Sequence, residues 1–320
     1  MTGHHTEGRA PGEASSGVTL FVGLGRMGHP MVRRYAATHS TVLFDIDEGI
    51  SAGLAAELGA VALPELTGLP DDTATVILML PNSRIVESVL LGEGGLLAHL
   101  SPGTLVIDMG SSEPASTRRL SELASQHGLQ YVDAPVSGGV AKATTGELSI
   151  MVGGEPAAVQ SAMAHLEPMG ANIVYVGPSG AGHAAKALNN LLSATNLAAA
   201  AEVLCVAQRS GIRPEVMVEV LNSSTGRSQA TEVKYPQHIL TGSFASGFEM
   251  DLMLKDLGIA TALSAEDEVS TPITSQTVET LVEARRWLDA PGLDHTEIAR
   301  YYEGVNRTLL RSDTNERPDE

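Results

Sequence analysis

The segment VTLFVGLGRMG, residues 18–28, predicts the fold of the first half of the chain. An apolar run leads directly into three glycines with the spacing GxGxxG, at Gly23, Gly25 and Gly28. In a strand–turn–helix unit the first glycine permits the tight turn, the second lets the backbone approach a pyrophosphate, and the third lets helix and strand pack closely. A glycine-rich turn alone is weak evidence, but here a strand precedes it and a helix follows it. We therefore predict a dinucleotide-binding loop made of Gly23, Leu24, Gly25, Arg26, Met27 and Gly28.

An acid at the end of the next apolar run indicates which dinucleotide the loop binds. Asp45 follows the run TVLF (41–44) and stands about 20 residues after Gly25. A carboxylate at this place hydrogen-bonds the ribose hydroxyls of NAD and repels the 2′-phosphate of NADP. Asp45 therefore predicts NAD as the cofactor and makes NADP the less favoured one, although Arg26 or Arg33 could still meet a phosphate.

The rest of the first half repeats the order strand then helix, whereas the second half is helical throughout. Apolar runs without polar alternation indicate strands buried on both faces of a parallel sheet. These runs lie at 18–22, 41–44, 74–80, 104–108, 131–136, 148–152 and 173–176, and helical patterns lie at 29–38, 51–58, 115–127, 183–210, 214–222, 252–265, 271–289 and 294–310. We predict an α/β doubly wound sheet domain over 17–181 and an all-helical domain over 182–310, with disordered tails at 1–16 and 311–320.

Composition excludes several classes of protein and of site. The 320 residues carry a formal net charge of −18, which argues against a nucleic-acid backbone or an anionic membrane surface as partner. A single cysteine, Cys205, cannot form an intrachain disulfide and fits a reducing compartment. The sequence shows no export signal, membrane span or metal-ligand spacing. We therefore expect a cytoplasmic protein that binds neither a metal, nucleic acid nor a membrane.

A glycine-rich turn in the middle of the chain has a role that its residues leave open. Ser137, Gly138 and Gly139 follow a predicted strand directly. The turn is either an ordinary strand end or a small nest of N–H groups for a carboxylate.

Polar side chains in the helical half leave a similar choice. Lys186 and Asn190 are spaced i, i+4 near the start of the long helix and therefore share one face. They either reach solvent or, if buried, require partners. Lys255 and Asp256 place a second cation within an apolar helix, where two adjacent opposite charges are typical of a solvated pair.

Five motifs in a fixed order resemble those of the β-hydroxyacid dehydrogenases, the group of 3-hydroxyisobutyrate dehydrogenase and tartronate semialdehyde reductase. The resemblance covers about 18–310 and rests on GLGRMGHPM (23–31), MLPNS (79–83), DAPVSGG with GELSIMVGG (133–154), GAGHAAKALNN (180–190) and LMLKDLGIA (252–260). It implies a Rossmann-type domain followed by a helical domain like that of 6-phosphogluconate dehydrogenase. It also implies that subunits associate through the helical domain, as a homodimer or homotetramer.

The resemblance implies roles for the residues that match its motifs. Lys186 corresponds to the catalytic lysine, and Asn190 corresponds to its substrate-orienting partner. The turn Ser137, Gly138 and Gly139 corresponds to the one that holds the substrate carboxylate. Residues expected to contact the dinucleotide are Leu80, Pro81, Ser111 and Lys255.

The activity that the resemblance implies is hydride transfer between NAD and a short 3-hydroxy acid, with Lys186 as general acid and base. Lys142, just after the glycine turn, departs from the usual small residues, and it either reads an extra anionic group of the substrate or faces solvent. Two alternatives remain beside this activity. One is a reductase of a related imine or semialdehyde (tartronate, succinic or a sulfonated three-carbon aldehyde), and the other is a non-catalytic dinucleotide-binding scaffold.

Overall fold

The apolar runs of the first half form one sheet of nine strands in a computed structural model that describes residues 17–311. The strands are β1 Val18–Val22, β2 Thr41–Phe44, β3 Val61–Ala62, β4 Thr73–Leu78, β5 Leu105–Asp108, β6 Gln130–Asp133, β7 Val136–Ser137, β8 Leu148–Gly154 and β9 Gly170–Gly177. Their order is β3-β2-β1-β4-β5-β6-β8-β7, with β9 paired to β8. The first six are parallel, and β8 runs antiparallel to β6 and β7. This order confirms the predicted doubly wound sheet of Rossmann type.

Helices cover both faces of this sheet because successive side chains of its central strands point to opposite sides. Phe21 and Ile77 belong to one buried cluster, whereas Leu20 and Val76 belong to another. The helices of this half are α1 Gly28–Ala36, α2 Glu48–Leu58, α3 Ser83–Leu91, α4 Pro114–Gln126, α5 Gly139–Thr145 and α6 Pro156–Leu166. Burial on both faces explains why the strands read as continuous apolar runs.

Several elements differ from the prediction. Helices α3, α5 and α6 were not predicted, and α5 has only seven residues, too few for a helical period to be visible. The predicted strand 131–136 is in fact two strands, β6 and β7, which are separated by Ala134 and Pro135. Proline has no N–H to donate to a sheet, and this interrupts the ladder.

The helical half consists of α7 Ala181–Arg209, α8 Pro214–Ser223, a π-helix Ala230–Ile239, α9 Met250–Glu266, α10 Pro272–Leu288 and α11 Ile298–Asn306. The π-helix was not predicted, and the predicted helix 294–310 is shorter, because a 3-10 turn at His295–Glu297 precedes α11. One buried cluster, built around α7, forms the core of this half. By length and composition α7 is the one described helix that could cross a membrane, but half of its most apolar window is buried.

The chain divides into two compact units, one that ends at His183 and one that begins at Ala184. The predicted boundary follows residue 181. The predicted tails at 1–16 and 311–320 lie outside the described residues, except for Arg311.

Candidate active site

The three glycines of the loop between β1 and α1 have different spatial requirements. Gly23 has a φ of +92°, and a Cβ there would lie 2.4 Å from the carbonyl oxygen of Met79. A Cβ on Gly28 would lie 1.9 Å from the carbonyl oxygen of Gly23, so the strand end and the helix start are packed too closely for any side chain. Gly25, in contrast, has open space within 4 Å of its Cβ position. The loop therefore combines a tight turn, a close strand–helix contact and one exposed stretch of backbone at a helix N-terminus.

Asp45 attaches this loop to the end of β2. One of its carboxylate oxygens accepts a hydrogen bond from the N–H of Leu24 at 2.6 Å, and the other accepts one from the N–H of Asp47 at 2.9 Å. Asp45 is half-buried. Because a carboxylate oxygen has two lone pairs, each oxygen keeps capacity for a further donor such as a ribose hydroxyl.

A cavity of about 640 Å³ opens beside the loop, and its lining includes Gly25 and Arg26 of the loop and Arg33 of α1. Arg33 is paired with Glu57 of α2, at 2.6 Å between Nη2 and Oε2. Of the two arginines that could meet a 2′-phosphate, Arg33 therefore already has a carboxylate partner.

The residues that follow β4 and β5 lie at the same edge of the sheet as the loop, because β1, β4 and β5 end in register. A Cβ on Gly23 would lie 3.1 Å from Cδ2 of Leu80, so Leu80 contacts the glycine loop directly. Pro81 follows it, and Ser111 comes three residues after the end of β5 and is half-buried. The structure thus brings three of the predicted dinucleotide contacts to the edge where the loop lies.

The turn after β7 consists of Ser137, Gly138 and Gly139, and α5 begins at the last of these. Gly138 has a φ of +134° and Gly139 a φ of +68°. Residues that carry a Cβ rarely adopt these backbone conformations. A Cβ on Gly138 would lie 2.7 to 3.2 Å from Cδ, Cβ and Cγ of Lys142. The aliphatic stem of Lys142 therefore covers the turn, although the residue as a whole is exposed.

In the second unit, side chains from α7 and α9 meet at the carboxylate of Asp256. Its Oδ2 accepts a hydrogen bond from Nδ2 of Asn190 at 2.6 Å, and its Oδ1 lies 3.3 Å from Nζ of Lys255. Asp256 is only 2% exposed. The interpretation of Lys255 and Asp256 as a solvated pair is therefore wrong, since this carboxylate is buried and fixes the amide of Asn190.

Lys186 lies one helical turn before Asn190 on α7 and is half-buried. Burial lowers the pKa of its ammonium group, the carboxylate of Asp256 opposes this, and the positive charge of Lys255 lowers the pKa further. The net direction is downward from the ordinary value of lysine. A lysine with a lowered pKa releases its proton more readily than a solvated lysine does, which favours a role as general acid and base.

Lys234, on the π-helix, belongs to the same region and was missed in the sequence. Its Nζ donates a hydrogen bond to Oγ of Ser193 at 2.9 Å. Ser193 follows Asn190 by three residues and Lys186 by seven, so all three lie on one face of α7. The chain contains only four lysines, and the scarcity of lysine is the signal that could have drawn attention to this one.

Chemically, the first unit offers a phosphate-binding turn beside an oriented acid, and the second offers a lysine beside a fixed amide. Within residues 17–311 there is no group of three or more His, Cys, Asp or Glu side chains that could hold a metal ion.

Two family models match consecutive parts of the chain. Residues 19–177 match the NAD binding domain of 6-phosphogluconate dehydrogenase, and residues 180–302 match the NAD-binding domain of NADP-dependent 3-hydroxyisobutyrate dehydrogenase. Together the two models span nearly all of the described residues.

Individual proteins are similar over most of their length. The chain is 40% identical to 2-(hydroxymethyl)glutarate dehydrogenase of Eubacterium barkeri, over 81% of this chain and 86% of that protein. It is 37% identical to 3-hydroxyisobutyrate dehydrogenase of Pseudomonas aeruginosa, over 89% of this chain and 98% of that one. Among solved structures, 3-hydroxyisobutyrate dehydrogenase of Mycobacterium tuberculosis with L-serine superposes with a TM-score of 0.82 at 31% identity, over 89% of this chain and 98% of that one.

Proposed function

Because the chain belongs to the β-hydroxyacid dehydrogenase family, whose members are NAD(P)-dependent oxidoreductases of hydroxy acids, we propose that it oxidises a short 3-hydroxy acid reversibly with NAD, using Lys186 as general acid and base. The observation that carries this proposal is the half-buried Lys186, whose pKa is lowered and which lies one turn from Asn190. The named substrates of the two relatives support the substrate class, since both carry a hydroxymethyl group on the carbon that bears a carboxylate.

The residues of the first unit fit a dinucleotide. The open face of Gly25 leaves room for a pyrophosphate against backbone N–H groups, where a Cβ would intrude. The carboxylate of Asp45 is oriented beside the loop by Leu24 and Asp47, and it supports NAD over NADP. When bound, the nicotinamide ring supplies or accepts the hydride at C4.

Lys186 performs the proton transfer in this proposal. In the oxidation, the neutral amine accepts the proton of the substrate hydroxyl at Nζ, and in the reduction the ammonium returns it to the carbonyl oxygen. Asn190 orients the hydroxyl, and the hydrogen bond to buried Asp256 holds its amide in place. Ser137 and the N–H groups of Gly138 and Gly139 bind the substrate carboxylate.

An absorbance assay at the NADH band tests the function. We expect reduction of NAD in the presence of 3-hydroxyisobutyrate or another acid with the same hydroxymethyl–carboxylate unit, and slower reduction of NADP. A lack of turnover across a broad panel of hydroxy acids and the corresponding aldehydes would overturn the proposal and favour a non-catalytic binding role.

Replacing Asp256 with asparagine should shift the pH profile of the oxidation to lower pH. Oxidation requires neutral Lys186, so kcat/KM rises with pH through the pKa of this lysine. Asp256 raises that pKa, and removing its negative charge destabilises the ammonium, so the rising limb moves down. Asp251→Asn is the matched control, because Asp251 is an exposed carboxylate of the same helix that pairs with Arg285. A shift in the control, or none in Asp256→Asn, would contradict the assignment.

Replacing Asp45 with asparagine should lower the preference for NAD over NADP by about tenfold or more, on the order of 1.4 kcal/mol. The substitution removes the charge that repels a 2′-phosphate and keeps one acceptor oxygen. Since the amide also loses a contact to Leu24 or Asp47, the informative quantity is the ratio of the two kcat/KM values in the same variant. An unchanged ratio would mean that Asp45 does not select the cofactor.

We also propose that the helical unit associates into a homodimer or homotetramer. Leu188, Leu192, Val203 and Val206 of α7 are 41 to 66% exposed, an unusually apolar surface for one helix. Light scattering after gel filtration measures the mass of the assembly, and a monomer at micromolar concentration would contradict the proposal.

A cytoplasmic location is proposed on the basis of the single cysteine. Cys205 is buried and free, so it forms no disulfide that an oxidising compartment would have to maintain. Cell fractionation with a detection antibody tests this location directly.

A further inference from the structure

Lysine is rare in this chain, and its distribution is uneven. Of the four lysines, three lie in the second unit, at Lys186, Lys234 and Lys255. The chain as a whole carries a formal net charge of −18, so a group of three lysines beside one face of α7 departs from the general charge pattern. Half-buried like charges repel one another, and such a group is stabilised when anions bind to it.

The three lysines differ in the partners that the fold provides. Lys255 is paired with Asp256, and Lys186 has the role of general acid and base. Lys234 donates to the hydroxyl of Ser193, which is neutral. Within the described residues, no carboxylate lies close enough to Lys234 to form an ion pair with it.

Asp294 is the acidic residue whose charge raises the pKa of Lys234, and its carboxylate oxygens already have other hydrogen-bond donors. Its carboxylate accepts hydrogen bonds from the hydroxyl of Ser246, from the N–H of Gly247 and from both the N–H and the hydroxyl of Thr296. His295, next to it, is neutral at pH 7, because burial and the charge of Lys234 lower its pKa to about 4. Asp294 therefore acts on Lys234 through its negative charge without forming an ion pair with it, and His295 adds no negative charge.

Lys234 itself remains mostly charged at neutral pH. Burial lowers its pKa to about 8, with Asp294 opposing the shift and Lys186 adding to it. The ammonium is thus partly desolvated and has one neutral hydrogen-bond acceptor, which leaves donors for an anion.

The spacing of Lys186 and Ser193, the partner of Lys234, along α7 determines how far a second anion lies from the reacting group of the substrate. Lys186 and Ser193 lie on the same face of α7, and their separation of seven positions corresponds to about 10 Å along the helix axis. A substrate that binds at both Lys186 and Ser193 would therefore need a side arm that reaches from the carbinol carbon to the second anion.

The geometry points to Lys234, held by Ser193, as the binding site for a second anionic group of the substrate, so that the preferred substrate is a 3-hydroxy acid with a further carboxylate on a short arm. This inference rests on the proposed function for the reaction, but it concerns a different residue and a different part of the substrate. It also differs from the possibility that Lys142 reads an extra anion.

The test compares three acids that share the reacting hydroxymethyl–carboxylate unit. 3-Hydroxyisobutyrate carries a methyl arm, 2-(hydroxymethyl)pentanoate carries a propyl arm, and 2-(hydroxymethyl)glutarate carries an arm that ends in a carboxylate. We expect the native enzyme to favour the dicarboxylate over the pentanoate by about 10- to 100-fold in kcat/KM, as a charge-assisted hydrogen bond would give. We expect this preference to come from a lower KM for the dicarboxylate, with kcat little changed, because the second anion binds away from the reacting atoms.

Lys234→Met keeps the length of the side chain and removes the charge. We expect the ratio of the two kcat/KM values to fall to about 1 in this variant, whereas Lys142→Met keeps the native ratio. The ratio within one variant cancels any effect that the substitution has on Lys186. Each of three results would overturn the inference. The native enzyme could show no preference for the dicarboxylate, Lys234→Met could keep the native ratio, or the ratio could fall to about 1 in Lys142→Met.

A binding measurement separates this inference from the proposed reaction. Glutarate and butanoate lack the hydroxyl, so neither can be oxidised at a carbinol carbon. In the presence of NAD, glutarate should raise the Tm of the native protein more than butanoate does, and the difference should vanish in Lys234→Met. If this difference is found but no hydroxy acid is oxidised, the anion site stands and the proposed reaction fails. Equal shifts for the two acids would overturn the anion site.

Discussion

Replacing Lys186 with alanine is expected to lower turnover by about two to four orders of magnitude, as the loss of a general acid–base group typically does. The side chain lies on α7 in the second unit, while the glycine loop and Asp45 lie in the first, so the variant keeps every residue of the loop. NADH fluorescence titration should therefore give a nearly native Kd, while the absorbance assay shows the loss. Near-native turnover would exclude Lys186 as the proton-transfer group.

Lys186→Arg separates the role of charge from the role of proton transfer. Guanidinium keeps the positive charge but does not release its proton near neutral pH, so we expect this variant to be as slow as the alanine variant. Adding a small primary amine to Lys186→Ala should restore part of the activity, with a rate that rises with the fraction of neutral amine. An active arginine variant would indicate that Lys186 acts through its charge alone.

Replacing Gly28 with alanine should lower the free energy of unfolding by about 1–3 kcal/mol or more, as overpacking does. The new Cβ would lie 1.9 Å from the carbonyl oxygen of Gly23, a backbone atom that cannot move without distorting the loop. The higher helix propensity of alanine opposes this by at most about 1 kcal/mol, so the clash determines the sign. Urea denaturation of the native protein and the variant measures the difference.

Gly25→Ala is the matched control within the same loop. Its Cβ would meet no atom within 4 Å, so we expect stability to remain within about 0.5 kcal/mol of native. Dinucleotide affinity should nevertheless fall by about tenfold or more, on the order of 1.4 kcal/mol, because the methyl group occupies the space for the pyrophosphate. Native affinity in Gly25→Ala, or native stability in Gly28→Ala, would contradict the separate roles assigned to these two glycines.

The glycine loop of the first unit and the acid beside it could be predicted from local sequence because their parts lie close together in the chain. Gly23, Gly25 and Gly28 belong to one loop, and Asp45 directly follows the strand that pairs with β1. Each of these positions follows from backbone geometry that a few neighbouring residues specify. Helix α5 escaped prediction because its seven residues are too few to show a helical period, whereas α3 and α6 are as long as the predicted helices α1 and α2 and were missed for no such reason.

The sequence by itself determined the doubly wound class of the first half, the glycine loop and the acid beside it, because periodicity and turn chemistry act over a few residues. Only the tertiary structure decided the surroundings of the lysines in the helical unit. Asp256 on α9 becomes buried against Asn190, and Lys234 on an unpredicted π-helix reaches Ser193, 41 residues away in the chain. These contacts arise from the packing of helices around α7. The resulting burial and charge set the pKa of Lys186 and leave Lys234 without an ion-pair partner among residues 17–311, which no local pattern specifies.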